Sequence, residues 1–193
     1  MTHRGTYDRG FLPHRDYFNS LLALTFRLDD SLPRQVIQKW QIELASDPER
    51  ADDDLHRRIA QYEDAGHGSC LLGEPEHAAI VQATLIAGHP DRYRLLDWCI
   101  MPNHVHAMIR LTSGFSLAQI LQLWKGGSAL QINRLTGRTG RLWGREYFDR
   151  LIRDEQHYFR AKRYIRRNPV KAGLCREPED WPFSSAGIAW DPD

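Results

Sequence analysis

The chain has 193 residues, 41% hydrophobic and 26% charged, an ordinary composition for a folded water-soluble domain. It contains no run of about 18 apolar residues, which excludes a membrane-spanning helix, and its polar N-terminus has no signal-peptide core. Three widely spaced cysteines, Cys70, Cys99 and Cys175, argue against a disulfide framework or a cysteine-based zinc site and fit a reducing cytoplasm, the expected location.

Net charge is only +1, but it is segregated. Residues 29–64 hold ten acidic and five basic side chains, and residues 141–176 hold eleven basic and four acidic. A basic binding face on a neutral protein has this signature, and so does an ordinary solvated helix face.

Residues 17–28, YFNSLLALTFRL, read as a strand. A helix follows, with Ser31 as its expected cap, Pro33 near its start, and Val36, Ile37, Trp40 and Leu44 at helical spacing. SDPERADDD is expected to break that helix, and DLHRRIAQYEDAG to start another. Residues 74–89 read as a helix stopped by Gly88 and Pro90. RYRLLDWCIMP and HVHAMIRLT form two strands joined at Pro102-Asn103. A helix opened by Ser116 has an expected weakness at Gly126-Gly127. GREYFDRLIR reads as a short strand, and a last helix, capped by Asp154, is expected to end at or just before Pro169. This order implies an α+β fold: a ferredoxin-like antiparallel sheet with helices on one face.

His104 and His106 stand one residue apart on a strand, so both side chains project from one face while Val105 points to the other. Neutral imidazole is a common transition-metal ligand and accepts Mn²⁺ or Mg²⁺ beside oxygen donors. Two satisfied polar residues on a half-exposed strand would give the same pattern. On the last helix, Tyr158, Ala161 and Ile165 form an apolar stripe, and Arg160, Tyr164 and Asn168 form a second row. Tyr164 is surrounded in sequence by Arg160, Lys162, Arg163, Arg166, Arg167 and Lys171. A phenol among cations suits attack on phosphate, and a tyrosine packed at the core margin with a wet hydroxyl is the alternative.

MPNHVH after an apolar strand, YIRRNPVKAGL, WPFSSA near the C-terminus, and RGFLPH and TFRL near the N-terminus resemble the REP-associated tyrosine transposases, a branch of the single-tyrosine HUH transposases. The resemblance implies an HUH-type ferredoxin-like domain over residues 1–193. It also implies a divalent metal, Mg²⁺ or Mn²⁺, on His104, His106 and Asn168, with Tyr164 as nucleophile. The implied partners are single-stranded DNA hairpins at repetitive palindromes, bound by a monomer or a homodimer. Short family members lack the acidic helical segment at about 29–73, which stands here as an insertion.

Lys125, Arg141, Arg145, Arg160, Arg163, Arg166, Arg167 and Lys171 are the expected backbone grips on DNA. Trp143 is a candidate stacking platform or a core residue. Two other functions stay open at this point: a non-catalytic hairpin-binding protein, and a metal-dependent phosphodiesterase that uses water.

Overall fold

A computed structural model describes residues 5–8, 13–16 and 18–192. Strands β1 (Gly5–Asp8) and β2 (Pro13–Asp16) pair as an antiparallel ribbon. Of the RGFLPH motif, residues 9–12 lie outside the described residues. The main sheet contains β3 (Leu21–Leu28), β4 (Tyr93–Ile100), β5 (His104–Leu111) and β6 (Trp143–Leu151), in the order β4-β5-β3-β6. All its pairings are antiparallel. With α3 (Pro75–Ile86) before β4 and α4 (Leu117–Thr136) before β6, the core follows the βαββαβ order of a ferredoxin-like fold.

The expected α+β antiparallel architecture is therefore present, and the strands explain how. Leu22, Leu24, Phe26, Val105, Ala107, Ile109, Leu95 and Trp98 pack with Val81, Leu85, Ile120 and Trp124 of α3 and α4 in one buried cluster. The alternate side chains Cys99, Met108 and Ile152 pack with Ile165 and Tyr158 of α5 (Glu155–Lys171). The ferredoxin helices thus cover one face, and α5 lies on the other. That placement adds to the expectation of helices on one face, and it follows from strands that are apolar on both sides.

Several local expectations are corrected. Ser31 caps no helix; its hydroxyl donates to the Leu28 carbonyl at 2.8 Å, and α1 (Arg34–Leu44) starts behind Pro33. The run SDPERADDD does not separate helices throughout, because α2 (Pro48–Asp64) already begins at Pro48, whose fixed φ suits a first helical position. Helix α4 continues through Gly126-Gly127; a Cβ on Gly127 would lie 3.4 Å from Thr84 Cγ2, so glycine there lets α4 approach α3 closely. Pro169 lies inside α5, near its end, where little helix remains for the missing N–H to disrupt. Ser116 does cap α4, as part of a capping box with Gln119.

Helices α1 and α2 share a small apolar cluster of Leu32, Ile37, Leu55 and Ile59. The C-terminal tail runs along the outer edge of β4. Phe183 accepts from Ile100 N at 2.9 Å, Ser185 N donates to the Trp98 carbonyl at 3.0 Å, and the Trp181 indole donates to the Ile100 carbonyl at 2.9 Å. This covers an otherwise open strand edge. A Cβ on Gly187 would meet the Trp181 carbonyl at 1.9 Å, so the turn in the tail requires glycine.

Trp143 belongs to the core and is not a stacking platform. It is buried, lies edge-on to Phe26 at 4.8 Å between ring centroids, and donates to Ser128 Oγ at 3.0 Å. Trp143→Ala is expected to destabilise the fold by about 3–5 kcal/mol in denaturant unfolding. A loss below about 1 kcal/mol would contradict the core assignment.

Candidate metal and nucleophile site

The site forms on the α5 face of the sheet, where β3 and β5 run side by side. Thr25 is the cross-strand partner of His106, and Arg27 that of His104. Both histidines are buried, and their Nε2 atoms are 2.9 Å apart.

The protonation pattern follows from the neighbours. Asn103 Nδ2 donates to the carbonyls of Glu63 and His67, each at 3.0 Å, which turns its Oδ1 towards His104 Nδ1 at 2.6 Å. His104 Nδ1 must therefore carry the proton, and its Nε2 presents a lone pair. His106 Nδ1 lies 2.9 Å from Thr25 Oγ1, a hydroxyl that can accept or donate. Two Nε2 lone pairs facing each other at this distance would repel. Either His106 donates a proton across the gap, or a cation holds both lone pairs. Cis ligands at the ~2.1 Å bond length of an octahedral ion lie about 3 Å apart, which matches the observed spacing.

Burial keeps both rings neutral. It drives His104 well below the usual histidine range, helped by the nearby positive charges of Arg27 and Lys171 and by His106. It lowers His106 to about 4, opposed by Asp64. Neutral imidazoles are the form a metal requires.

Asp64, the last residue of α2, completes a cluster with His104 and His106 in which one ligand atom of each lies within 4.8 Å of the others. Its Oδ1 is buried without a hydrogen-bond partner, 3.9 Å from His104 Nε2. Its Oδ2 accepts from Lys171 Nζ at 2.5 Å. Asn168 is buried too; its Nδ2 donates to the Tyr164 carbonyl at 3.1 Å and its Oδ1 has no hydrogen-bond partner. The donor set of two neutral imidazoles and unpartnered oxygens therefore fits a divalent cation. Next to it, Arg27 pairs with Glu63 at 3.2 Å in the interior, and burial pushes Glu63 up to about 7 against the pull of Arg27.

The Tyr164 ring stands 5.3 Å from the His106 ring, centroid to centroid, at 75°. It is 42% exposed. Partial burial and the Asp64 carboxylate raise its phenol to about 12, with Asn168 pulling the other way. Tyr158 instead packs in the α5 apolar cluster, with Lys162 Nζ 5.8 Å from its ring centroid.

The basic residues divide into two groups. Arg145, Arg160, Arg163 and Arg167 are exposed. Arg141 is about half exposed, with Asp29 at 3.6 Å. The others have structural partners. Arg166 Nε donates to the fully buried Asp97 at 2.6 Å, and Lys162 lies 3.7 Å from the same carboxylate. Asp97 also accepts from Ser185 Oγ at 2.9 Å. Lys125 Nζ donates to the carbonyls of Gly144 at 2.6 Å and Arg145 at 3.2 Å, tying α4 to β6. Lys171 is taken up by Asp64. Arg166, Lys125 and Lys171 differ from the exposed arginines in that each already pairs with a carboxylate or carbonyl within the protein. Asp64 and Asp97 were missed because their partners are 40 or more residues away in sequence and only the fold brings them together.

No helix among the described residues is long and apolar enough to cross a membrane.

Residues 85–168 match the family described as "Transposase IS200 like", a span that contains His104, His106, Tyr164 and Asn168. A candidate REP-associated tyrosine transposase of Haemophilus influenzae is 32% identical over 97 residues, covering 45% of this chain and 55% of the relative. The REP-associated tyrosine transposase of Escherichia coli K12 is 28% identical over 93 residues, covering 48% and 54%. The chain spans about half the length of the curated relatives it matches. A solved REP-associated tyrosine transposase, bound to a REP hairpin, superposes with a TM-score of 0.59 over 97% of this chain and 91% of its own, at 17% identity, which shows a shared fold. The resemblance carried by MPNHVH and YIRRNPVKAGL is thus borne out: residues 85–168 match the IS200-like transposase family, and the relatives this chain resembles are REP-associated tyrosine transposases.

Proposed function

We propose that the protein cleaves and rejoins single-stranded DNA at short palindromic, REP-like hairpins, with Tyr164 as the nucleophile. The observation that carries this reading is the approach of Tyr164, on α5, to the paired Nε2 atoms of His104 and His106, on β5. The names of the relatives support the hairpin substrate.

In the proposed step the Tyr164 oxygen forms a bond to phosphorus and the bond from phosphorus to the 3′ oxygen breaks. The phenolic proton is lost and the departing 3′ oxygen gains one, leaving a 5′-phosphotyrosine and a free 3′-hydroxyl. The product keeps its phosphodiester, so a 3′-hydroxyl can reverse the step and join strands without ATP. A phenolate leaves more readily than an alkoxide because its conjugate acid is far stronger, with an ordinary pKa of about 10.

His104, His106 and Asn168 would hold the divalent ion, Mg²⁺ or Mn²⁺. When bound, such an ion supplies Lewis-acid stabilisation of charge on phosphate oxygens. The protein's own residues do the rest. Asn103 and Thr25 orient the imidazoles, as outer hydrogen bonds do for metal-bound histidines. Asp97, through Arg166, fixes the middle of α5 against β4 and so positions Tyr164. Arg145, Arg160, Arg163 and Arg167 are placed to contact DNA phosphates.

The test is incubation with a single-stranded hairpin oligonucleotide, with and without Mn²⁺, followed by a denaturing gel. A covalent protein–DNA band that needs the metal is expected. Free cleavage without a band would indicate a water-using phosphodiesterase; tight binding without either would indicate a non-catalytic hairpin binder.

The arginine grip has its own test. Arg163→Ala with Arg167→Ala should weaken binding to specific and scrambled hairpins alike and flatten the log–log salt dependence by about 1.4 units, at roughly 0.7 per phosphate contact on single strands. An unchanged slope in titrations from low to moderate salt would make this row a solvated helix face.

A further inference from the structure

The α1–α2 segment inserted between β3 and α3 ends at the metal site, and its last helical residue points a carboxylate into it. We propose that Asp64 is a further ligand of the divalent ion, alongside His104, His106 and Asn168, and that Lys171 is the residue that orients it. The inference rests on the metal reading above and gives the acidic insertion a role in the site.

The case rests on geometry. Asp64 Oδ1 is buried, has no hydrogen-bond partner and lies 3.9 Å from His104 Nε2. One ligand atom each of Asp64, His104 and His106 lies within 4.8 Å of the others, a span that a modest side-chain adjustment closes around an ion. Lys171 balances the charge of the carboxylate through Oδ2, but Oδ1 stays a buried acceptor without a donor beside two neutral imidazoles, which a bound metal ion would satisfy. Its other oxygen is held by Lys171 Nζ at 2.5 Å, so the carboxylate can turn only one oxygen to the histidines.

The supporting frame is tied down as well. Asn103 bonds the backbone of Glu63 and His67, on either side of Asp64, and also fixes His104. Glu63 pairs with Arg27 on β3. The end of α2 is thus fastened to the two strands that present the histidines. A hard carboxylate oxygen also shifts the preference of an imidazole-rich set towards Mg²⁺ and Mn²⁺, which favour oxygen donors. Lys171, committed to this carboxylate, orients a ligand and is removed from the DNA grip.

The experiment is Mn²⁺ binding to the full-length protein without DNA, measured by calorimetry and by the loss of the free-ion electron paramagnetic signal. Asp64→Ala should weaken binding at least tenfold, and Asp64→Asn, which keeps the shape but loses the charge, should fall between it and wild type. Lys171→Met, which leaves the carboxylate in place but removes the group that holds it, should weaken binding less than Asp64→Ala does, and binding equal to or tighter than wild type would overturn the orienting role of Lys171. Asp64→Ala binding within twofold of wild type, while His106→Ala abolishes binding, overturns the Asp64 assignment and leaves the metal reading intact. Unchanged binding in His106→Ala overturns the metal reading itself. If Asp64→Ala fails to fold, as judged by circular dichroism, Asp64→Asn carries the test, and an affinity equal to wild type overturns the proposal.

Discussion

Tyr164→Phe is expected to abolish the covalent DNA adduct completely while leaving hairpin affinity within a few-fold of wild type. The substitution removes one oxygen and keeps the ring that stands against His106. Only the hydroxyl can form the bond to phosphorus, so the loss should appear as a missing band on a denaturing gel. The phenol is held up near 12 by burial and by the Asp64 carboxylate, so the free side chain is a weak nucleophile at neutral pH. A nearby divalent cation opposes that shift, because an opposite charge favours the ionised form. Adduct formation that persists in the Phe variant would assign the chemistry to another residue, with Tyr158 next in line.

His104→Ala and His106→Ala are each expected to remove cleavage by several orders of magnitude, with hairpin binding retained. Each imidazole offers a separate Nε2 lone pair, and no third histidine and no cysteine stands in the Asp64–His104–His106 cluster among the described residues. Each variant should also lose Mn²⁺ affinity, and excess Mn²⁺ should not restore the double variant. Single-turnover cleavage rates across a Mn²⁺ titration check this. Full activity in EDTA, or a His106→Ala variant that cleaves at the wild-type rate, would contradict it.

The parts of this site that were legible in the sequence are those set by local periodicity. Alternation along a strand places His104 and His106 on one face, and the structure has them there, with Val105 in the opposite core. The helical period separates Tyr164 and Asn168 from the Tyr158–Ala161–Ile165 stripe, and α5 keeps that separation. What depends on partners distant in sequence was not legible. Asp64 reads as one more acidic residue in an acidic helix until Lys171 and His104 are brought beside it. Arg166 reads like Arg163 and Arg167 until Asp97, 69 residues earlier, is found beneath it. Trp143 lies beside basic residues in sequence, yet its position in β6 places it over Phe26. Charge and aromaticity mark what a residue can do, but its partners decide whether it remains available.

That distinction changes the expected binding face. Of the basic residues in 141–176, Arg145, Arg160, Arg163 and Arg167 are among the exposed ones, whereas Arg166 is tied to Asp97 and becomes part of the scaffold that holds α5.

The central claim is that Tyr164 becomes covalently linked to DNA. It is tested most directly by trapping the adduct on a hairpin oligonucleotide, digesting the protein with trypsin and the DNA with nuclease, and locating the residual nucleotide mass by mass spectrometry. Cleavage after Arg153, Arg160, Arg163 and Arg166 places Tyr158 and Tyr164 on different peptides. A nucleotide 5′-phosphate on the Tyr164 peptide, absent without Mn²⁺, is the predicted result. Modification of the Tyr158 peptide, or efficient cleavage with no modified tyrosine, would contradict it.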